Sequence, residues 1–420
     1  MNAAFDIIAI LIGLTALFGW VNHRFIGLPM TIGMLVFALV SSLLIAGGDA
    51  LMPGHDLTGE LTRLLTQVDF TETLMKGLLG FLLFAGALHV DLHDLRRRGI
   101  AITLMATAGV LLSTFLVGGA IYYVFQALGI GVPFLVCLVF GSLISPTDPV
   151  AVLGVLKIVK VPPSLEAKIA GESLFNDGVG VVVFTILVAI AYQSGGEPPT
   201  VGSVAALFFT EAIGGAVLGL VAGGLVHFMM RRIDEYVVEI MLTLALVTVT
   251  YAVASKLHVS GLIAVVVAGL LIGNVGTEKA MSRTTEQHLH NFWTLIDEIL
   301  NAILFLLIGM EVVVLRFDVT HMIAGLIAIP LVLLARFISV GSAITVLKPF
   351  RTFTPGAIPV LTWGGLRGGI SVALVLTLPE TDSKSVLLTV TYIVVIFSVV
   401  VQGLTIGPLI RRLVKSGVDD

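Results

Sequence analysis

The stretch Gly171-Glu-Ser-Leu-Phe-Asn-Asp-Gly-Val-Gly180 opens an apolar run that continues from Val181 to Ile190. It places two carboxylates, an amide and a hydroxyl on one predicted helix that is long enough to cross a bilayer. Each charged group in mid-membrane costs about 2.5–3.5 kcal/mol even on a lenient insertion scale, so it needs partners, water or an ion. We therefore predict that the chain is organised around Asp177, a carboxylate that takes up either a cation or a proton.

The composition predicts an all-α polytopic membrane protein. The chain has 420 residues, of which 57% are hydrophobic and only 12% are charged, whereas a soluble domain carries about 25% charged residues. Apolar runs of membrane-spanning length recur from end to end. The Gly-x4-Gly-Lys-Ser/Thr phosphate loop is absent from the sequence, which argues against an ATP-driven pump.

We predict about thirteen transmembrane helices in a single membrane domain over residues 1–420, with no soluble C-terminal domain. Two inverted six-helix repeats, about 4–193 and 235–410, flank a linker helix at about 203–230. Most of the 23 Lys and Arg residues lie in alternate loops, and the positive-inside rule places those loops in the cytoplasm. The N-terminus is then outside and the C-terminus inside, which requires an odd number of spans.

Two of the predicted spans are interrupted by helix-breaking residues. The fifth carries Ser142-Leu-Ile-Ser-Pro-Thr-Asp-Pro149, and the twelfth carries Gly364-Gly-Leu-Arg-Gly-Gly369. Paired helix breaks in inverted repeats point to the central site of a transporter. Thr147 is positioned to offer an oxygen to a cation. We expect Asp148 to offset the positive end of a half-helix. Capping a kink is as good an interpretation of this residue as a direct contact with the ion.

The acids of the opening stretch divide between two helix faces. Residues four apart share a face, so Ser173 lies over Asp177, and Glu172 lies over Asn176. Glu172 and Asp177 are turned about 140° from each other and are expected to serve different partners. The functional interpretation makes Asp177 and Ser173 ligands of a monovalent cation; the alternative makes both acids structural counter-ions.

Two arginines lie inside predicted spans. Arg367 is flanked by glycine pairs and is expected to offset the negative C-terminal ends of half-helices. Arg336 lies in mid-span and needs an anion, for which Glu172 is the best candidate. Because a buried ion pair is poor evidence for stability, we expect this pair to hold two helices in register and to leave Asp177 as the titratable acid.

Together the three motifs, residues 145–149, 171–180 and 364–371, resemble the monovalent cation:proton antiporter-1 family, and within it the NhaP-type bacterial sodium/proton antiporters. The resemblance covers essentially the whole chain. It implies inverted repeats with crossed discontinuous helices in the bacterial inner membrane, usually as a homodimer. The Asn-Asp pair implies electroneutral one-for-one exchange. The residue roles that the resemblance implies are cation and proton binding by Asp177, Ser173 and Thr147, support of the crossing by Asn176 and Asp148, and an ion pair between Glu172 and Arg336.

The chain departs from the family at one position. Many members carry Glu in a Leu-Leu-Phe-Glu motif on the third span, whereas this chain has Leu82-Leu-Phe-Ala85. That carboxylate can help bind the ion in the family, so the selectivity among sodium, lithium and potassium is left open.

These features predict a secondary active sodium or lithium/proton antiporter, and not an enzyme. No cofactor and no nucleic-acid partner are expected, because the transported ions are the only ligands that the site requires. Potassium/proton exchange is an alternative within the same class. A cation channel and a sodium-coupled symporter are alternatives from other classes.

Overall fold

The computed structural model describes residues 3–51, 59, 77–148, 163–192, 201–276, 281–314, 318–349 and 356–413. Within these residues the regular elements are helices. One isolated antiparallel bridge pairs Asp148 with Leu366. The predicted all-α class is therefore confirmed.

Helices follow one another along the whole described chain. The first seven are α1 Ala3–Val21, α2 Met30–Leu51, α3 Leu79–Leu88, α4 Leu92–Ala106, α5 Ala108–Ala127, α6 Phe134–Ile144 and α7 Pro163–Ala191. The next five are α8 Val201–Met230, α9 Tyr236–Leu257, α10 Gly261–Leu271, α11 Arg283–Glu311 and α12 Val319–Leu347. The last four are α13 Ala357–Trp363, α14 Gly369–Leu376, α15 Asp382–Phe397 and α16 Gly403–Leu413.

Nine helices in the described part of the chain are long and apolar enough to cross a bilayer. Three shorter apolar helices lie among them, at Leu79–Leu88, Phe134–Ile144 and Gly261–Gly276. The expected count of thirteen spans, the inverted repeat and the boundaries of the repeats stay predictions.

Both predicted interruptions are present. The helix α6 ends at Ile144, because Pro146 cannot donate the next backbone hydrogen bond. In the second interruption, Gly364 to Gly368 separate α13 from α14, and Gly368 has an extended backbone. Residues 149–162, which include the second proline of the first interruption, lie outside the described residues.

The helix α7, which carries the opening stretch, lies between two apolar clusters. Its Phe184 belongs to a cluster built mainly on α2, α5, α6, α11, α12, α14 and α15. Its Leu174 belongs to a second cluster on α3 and on α8 to α11. The polar residues of α7 at positions 172, 173, 176 and 177 are buried, so Glu172 and Asp177 face protein rather than lipid.

The helices α5 and α6 approach each other closely at small residues. A Cβ atom on Gly141 would overlap the carbonyl oxygen of Thr114, and one on Gly118 would lie 2.8 Å from the Cα atom of Leu138. Small residues allow such contacts between membrane helices, where dispersion and not water exclusion drives association.

We expect Gly141→Ala to lower the apparent unfolding temperature in detergent, because the added methyl group forces the two backbones apart at a cost of about 1–3 kcal/mol. The measurement is thermal unfolding followed by intrinsic fluorescence. Gly119→Ala is the control, since a Cβ there meets nothing within 4 Å. Equal unfolding temperatures for both variants and the parent chain would contradict this account of the α5–α6 contact.

Candidate ion-binding site

The two interrupted segments meet at their backbones. The amide nitrogen of Asp148 donates to the carbonyl oxygen of Leu366 at 2.7 Å. The amide of Arg367 donates to the hydroxyl oxygen of Ser398 at 2.8 Å. Backbone groups that a helix break would leave unpaired inside a membrane are in this way satisfied by protein.

Arg367 lies at the C-terminal end of α6. Its guanidinium is fully buried and donates through Nη1 to the carbonyl oxygens of Ser145 and Pro146, the latter at 2.8 Å. A helix C-terminus carries a partial negative charge on its free carbonyls. The positive charge of Arg367 therefore lies where that partial charge needs compensation.

Asp148 places a negative charge at the second break, where α14 begins. Its carboxylate lies against Gly368, so closely that a Cβ atom on Gly368 would overlap Oδ2. Gly368 is the residue before α14, whose first backbone amides carry a partial positive charge. Each break thus supplies the charge that faces the helix end of the other.

The segment 145–148 is attached to α7 through Thr147. The amide of Asn176 donates from Nδ2 to Thr147 Oγ1 at 2.8 Å, and the Thr147 backbone N–H donates to Asn176 Oδ1 at 3.2 Å. The hydroxyl oxygens of Thr147 and Ser173 are 3.0 Å apart. Asn176 therefore fixes the hydroxyl of Thr147 beside that of Ser173.

Asp177 follows Ser173 by four residues, about 6 Å along α7. Its side chain is only 3% exposed, and its Oδ1 atom has no hydrogen-bond partner among the described residues. An isolated ionised carboxylate is costly to bury, and it either neutralises by taking a proton or pairs with a cation. The carboxylate of Asp177 is therefore suited to bind a proton or a cation in turn.

Glu172 faces a different partner. Arg336, on α12, donates from Nη1 to Glu172 Oε1, and the two residues are 6% and 1% exposed. Ser339, on the next turn of α12, donates to the carbonyl oxygen of Gly109 at 2.9 Å, which ties α12 to α5 as well. The charge of Glu172 is thus compensated within the protein.

Comparison with known proteins places this arrangement in a family. The family model described as "Sodium/hydrogen exchanger, transmembrane" matches residues 12–412. The chain belongs to the sodium/hydrogen exchanger family.

Two relatives in this family are similar over most of their length. A Na+/H+ antiporter named NhaP from Pseudomonas aeruginosa is 52% identical over 413 residues, 97% of this chain and 96% of that protein. A Na+/H+ antiporter named NhaH from Halobacillus dabanensis is 35% identical over 360 residues, 84% of this chain and 86% of that protein.

A solved structure shares the fold. The sodium proton antiporter MjNhaP1 from Methanocaldococcus jannaschii, at pH 8, superposes with a TM-score of 0.74 and covers 98% of this chain and 99% of its own. The two sequences are only 19% identical, so this likeness establishes the fold alone.

Within this exchanger-family chain, the position of the missing glutamate lies in the core. Ala85 is fully buried in α3 and its carbonyl oxygen contacts His89 Nδ1 at 2.7 Å. The neighbouring Gly86 faces Leu174 of α7, with 4.0 Å between its ideal Cβ position and Leu174 Cδ1. The helix α3 is therefore close to the opening stretch, but residue 85 contributes no carboxylate.

The residues that the sequence analysis did not single out are spacers and supports. Gly365 and Gly180 leave room for the site, since a Cβ on Gly180 would overlap Pro146. Gln402 donates to the carbonyl oxygen of Trp363, at the end of α13, at 2.8 Å. Gln402 is a lone amide in the apolar run of the last span, and the sequence analysis did not use that signal. Gly180 and Gly365 lie within the quoted motifs, but their role as spacers depends on the distant segments packed against them.

We expect Gly365→Ala to lower the rate of ion exchange about tenfold or more, because its Cβ would lie 2.7 Å from Arg336 Nε and 3.2 Å from Thr147 Cγ2. A displacement of about 1 Å at a reacting site costs up to about a hundredfold. The measurement is sodium-driven proton flux in proteoliposomes. Gly341→Ala, on α12 with nothing within 4 Å of its Cβ position, is the control, and equal fluxes from the two variants would refute the prediction.

Removing either member of the buried ion pair should destabilise the protein more than removing both. Each single variant, Glu172→Gln or Arg336→Met, leaves the remaining charge buried without its partner. The loss destabilises the protein by about 3–5 kcal/mol, whereas an apolar pair avoids that penalty. We expect the double variant Glu172→Leu/Arg336→Met to unfold at a higher temperature than the worse single variant. A double variant that is less stable than both single variants would contradict a purely structural role.

Proposed function

We propose that this protein is a secondary active sodium/proton antiporter in which Na+ and H+ compete for Asp177. The observation that supports the proposal most directly is the buried Oδ1 atom of Asp177, which has no hydrogen-bond partner among the described residues. The names of the NhaP and NhaH relatives, both Na+/H+ antiporters, support the same class.

The proposed cation ligands are oxygens from Asp177, Ser173 and Thr147. Na+ binds in related transporter folds to carbonyl and side-chain oxygens at broken helices. The 3.0 Å separation of the Thr147 and Ser173 hydroxyl oxygens supports this set, because two oxygens at that distance can face one ion. Asn176 holds Thr147 in place and Asp148 supports the crossing, so neither needs to contact the ion.

Exchange follows from the charge of the site. With Asp177 ionised and Na+ bound, or with Asp177 protonated, the carboxylate is neutralised. A bare carboxylate is disfavoured in the membrane interior by about 2.5–3.5 kcal/mol or more, so the empty, ionised form does not change sides readily. One cation then exchanges for one proton, and the overall reaction is electroneutral.

The pair formed by Glu172 and Arg336 explains how one acid carries the exchange. Arg336 compensates Glu172, so this pair needs no ion from outside the protein. Arg367 is occupied by the carbonyls of Ser145 and Pro146. The competition between ion and proton is therefore confined to Asp177.

The proposed setting is the bacterial inner membrane, where the protein crosses the bilayer in thirteen spans with two inverted repeats. The N-terminus is outside, the C-terminus is cytoplasmic, and the active form is a homodimer. Sodium leaves the cell as protons enter, and lithium is accepted at the same site. This arrangement serves sodium and pH homeostasis and needs no bound cofactor.

Potassium/proton exchange is a second candidate that one observation favours. Ala85 replaces a carboxylate that many family members place near the ion, and a site with fewer carboxylates holds a small cation less strongly. Flux driven by sodium, lithium and potassium in turn, in the same proteoliposomes, separates the two candidates.

We expect Asp177→Asn to abolish sodium-driven proton flux in proteoliposomes while the protein stays folded, because asparagine can neither ionise nor release a proton. Asp382→Asn is the matched control, since Asp382 is exposed at the start of α15, and its flux should equal that of the parent chain. An imposed membrane potential should leave the parent flux unchanged, as expected for electroneutral exchange. Any pH-dependent transport by Asp177→Asn would refute the assignment, and a voltage-driven current through that variant would indicate a channel.

A further inference from the structure

A second buried acid lies outside the ion site. Glu239, in the first turn of α9, is 0% exposed, and neither of its carboxylate oxygens has a hydrogen-bond partner among the described residues. The ion site does not include it, because it lies on a different helix from the opening stretch and from both helix breaks.

The polar group one turn further along α9 is already engaged. Trp293 Nε1, on α11, donates to the hydroxyl oxygen of Thr243 at 3.0 Å, and Thr243 donates its own proton to the carbonyl oxygen of Ile240 at 2.8 Å. The ring of Trp293 packs against Phe84 of α3, with 4.7 Å between centroids. Because Thr243 already donates its proton to Ile240, its hydroxyl is not available as a donor to Glu239.

The charged groups near the start of α9 are engaged elsewhere or exposed. Arg232 lies over the ring of Phe228, and Asp234 Oδ1 accepts from Thr285 at 3.4 Å. The elements packed against α9 carry several titratable side chains. They are Asp234 and Glu235 before it, Glu211, His227, Arg231 and Arg232 on α8 and just after it, and Arg283, Glu286, His288, His290, Asp297, Glu298 and Glu311 on α11. Neither α10 nor α3 carries a titratable side chain within its range.

Burial without a partner decides the state of this carboxylate. An ionised carboxylate in an apolar environment is strongly disfavoured unless it is paired, and the group neutralises by binding a proton. A neutral, protonated Glu239 satisfies this constraint.

We propose that Glu239 is a second proton-binding site, separate from Asp177, and that its proton keeps α9 packed against α11. Loss of the proton forces water or a cation between the two helices, since the ionised group cannot stay where it is. The helix α11 also reaches the crossing, because Leu304 packs against Gly369 of α14, with 2.9 Å between Leu304 Cγ and the ideal Cβ position of Gly369. Proton release at Glu239 therefore alters the support of the ion site and lowers exchange at alkaline pH.

The direct test is infrared difference spectroscopy of the purified full chain during a pH titration. Glu239→Gln imitates the neutral acid, so it should fold and should lack one carbonyl-stretch band of a protonated carboxylic acid that the parent chain shows. The band should persist in Asp177→Asn, even where that variant does not transport, so failure of the proposed exchange mechanism and failure of this inference are distinguishable. A band unchanged in Glu239→Gln would overturn the proposal, and so would displacement of the proton by added sodium at constant pH.

The functional test is the pH profile of sodium-driven exchange. Glu239→Gln should move the alkaline limb to higher pH by roughly one unit, a tenfold change in proton concentration. Glu235→Gln, an exposed acid next to α9, is the matched control and should leave the profile in place. Superimposable profiles for Glu239→Gln and the parent would overturn the link to transport. Misfolding of both Glu239→Gln and Glu239→Met would overturn the proposal itself, because a neutral, unpaired acid tolerates these replacements.

Discussion

A break in a membrane helix exposes backbone groups that lipid cannot satisfy, and this constraint organises the centre of the protein. The two breaks satisfy each other. Asp148 donates its amide to Leu366, and Arg367 donates to the carbonyls of Ser145 and Pro146. The charges of Arg367 and Asp148 face the helix ends of opposite polarity. The crossing is therefore a closed network in which each interrupted segment requires the other.

The crossing determines where the oxygens of the proposed ion site lie. Because the segment 145–148 is held by Arg367 on one side and by Asn176 on the other, Thr147 has little freedom. A ligand oxygen that is positioned before binding avoids the entropy cost of ordering it when the ion arrives. Asp177 lies one turn beyond, on a helix flanked by two apolar clusters that exclude water from its flanks. A rigid support and a buried position are the two properties that the proposed exchange at Asp177 requires.

The buried acids of this chain fall into two physical classes. Glu172 is compensated by Arg336 and serves to join α7 to α12. Asp177 and Glu239 each have at least one carboxylate oxygen without a partner among the described residues. Burial alone does not separate these classes, since all three are at most 3% exposed. The presence or absence of a partner separates them, and it supports the structural role proposed for the first and the proton chemistry proposed for the other two.

Local sequence was sufficient for the helical class, both interruptions and the residues at the crossing, because proline, paired glycines and ionisable groups in apolar runs have strong, short-range physical consequences. Asp177, Thr147 and Arg367 stand out from their neighbours for that reason. The spacing roles of Gly365 and Gly180, the amide of Asn176 on Thr147 and the isolation of Glu239 depend on contacts between distant segments. Glu239 in particular reads as an ordinary helix-end acid, which the first turn of a helix favours. Only the packing of α11 and its neighbours against α9 removes its solvent, and no pattern within α9 itself encodes that burial.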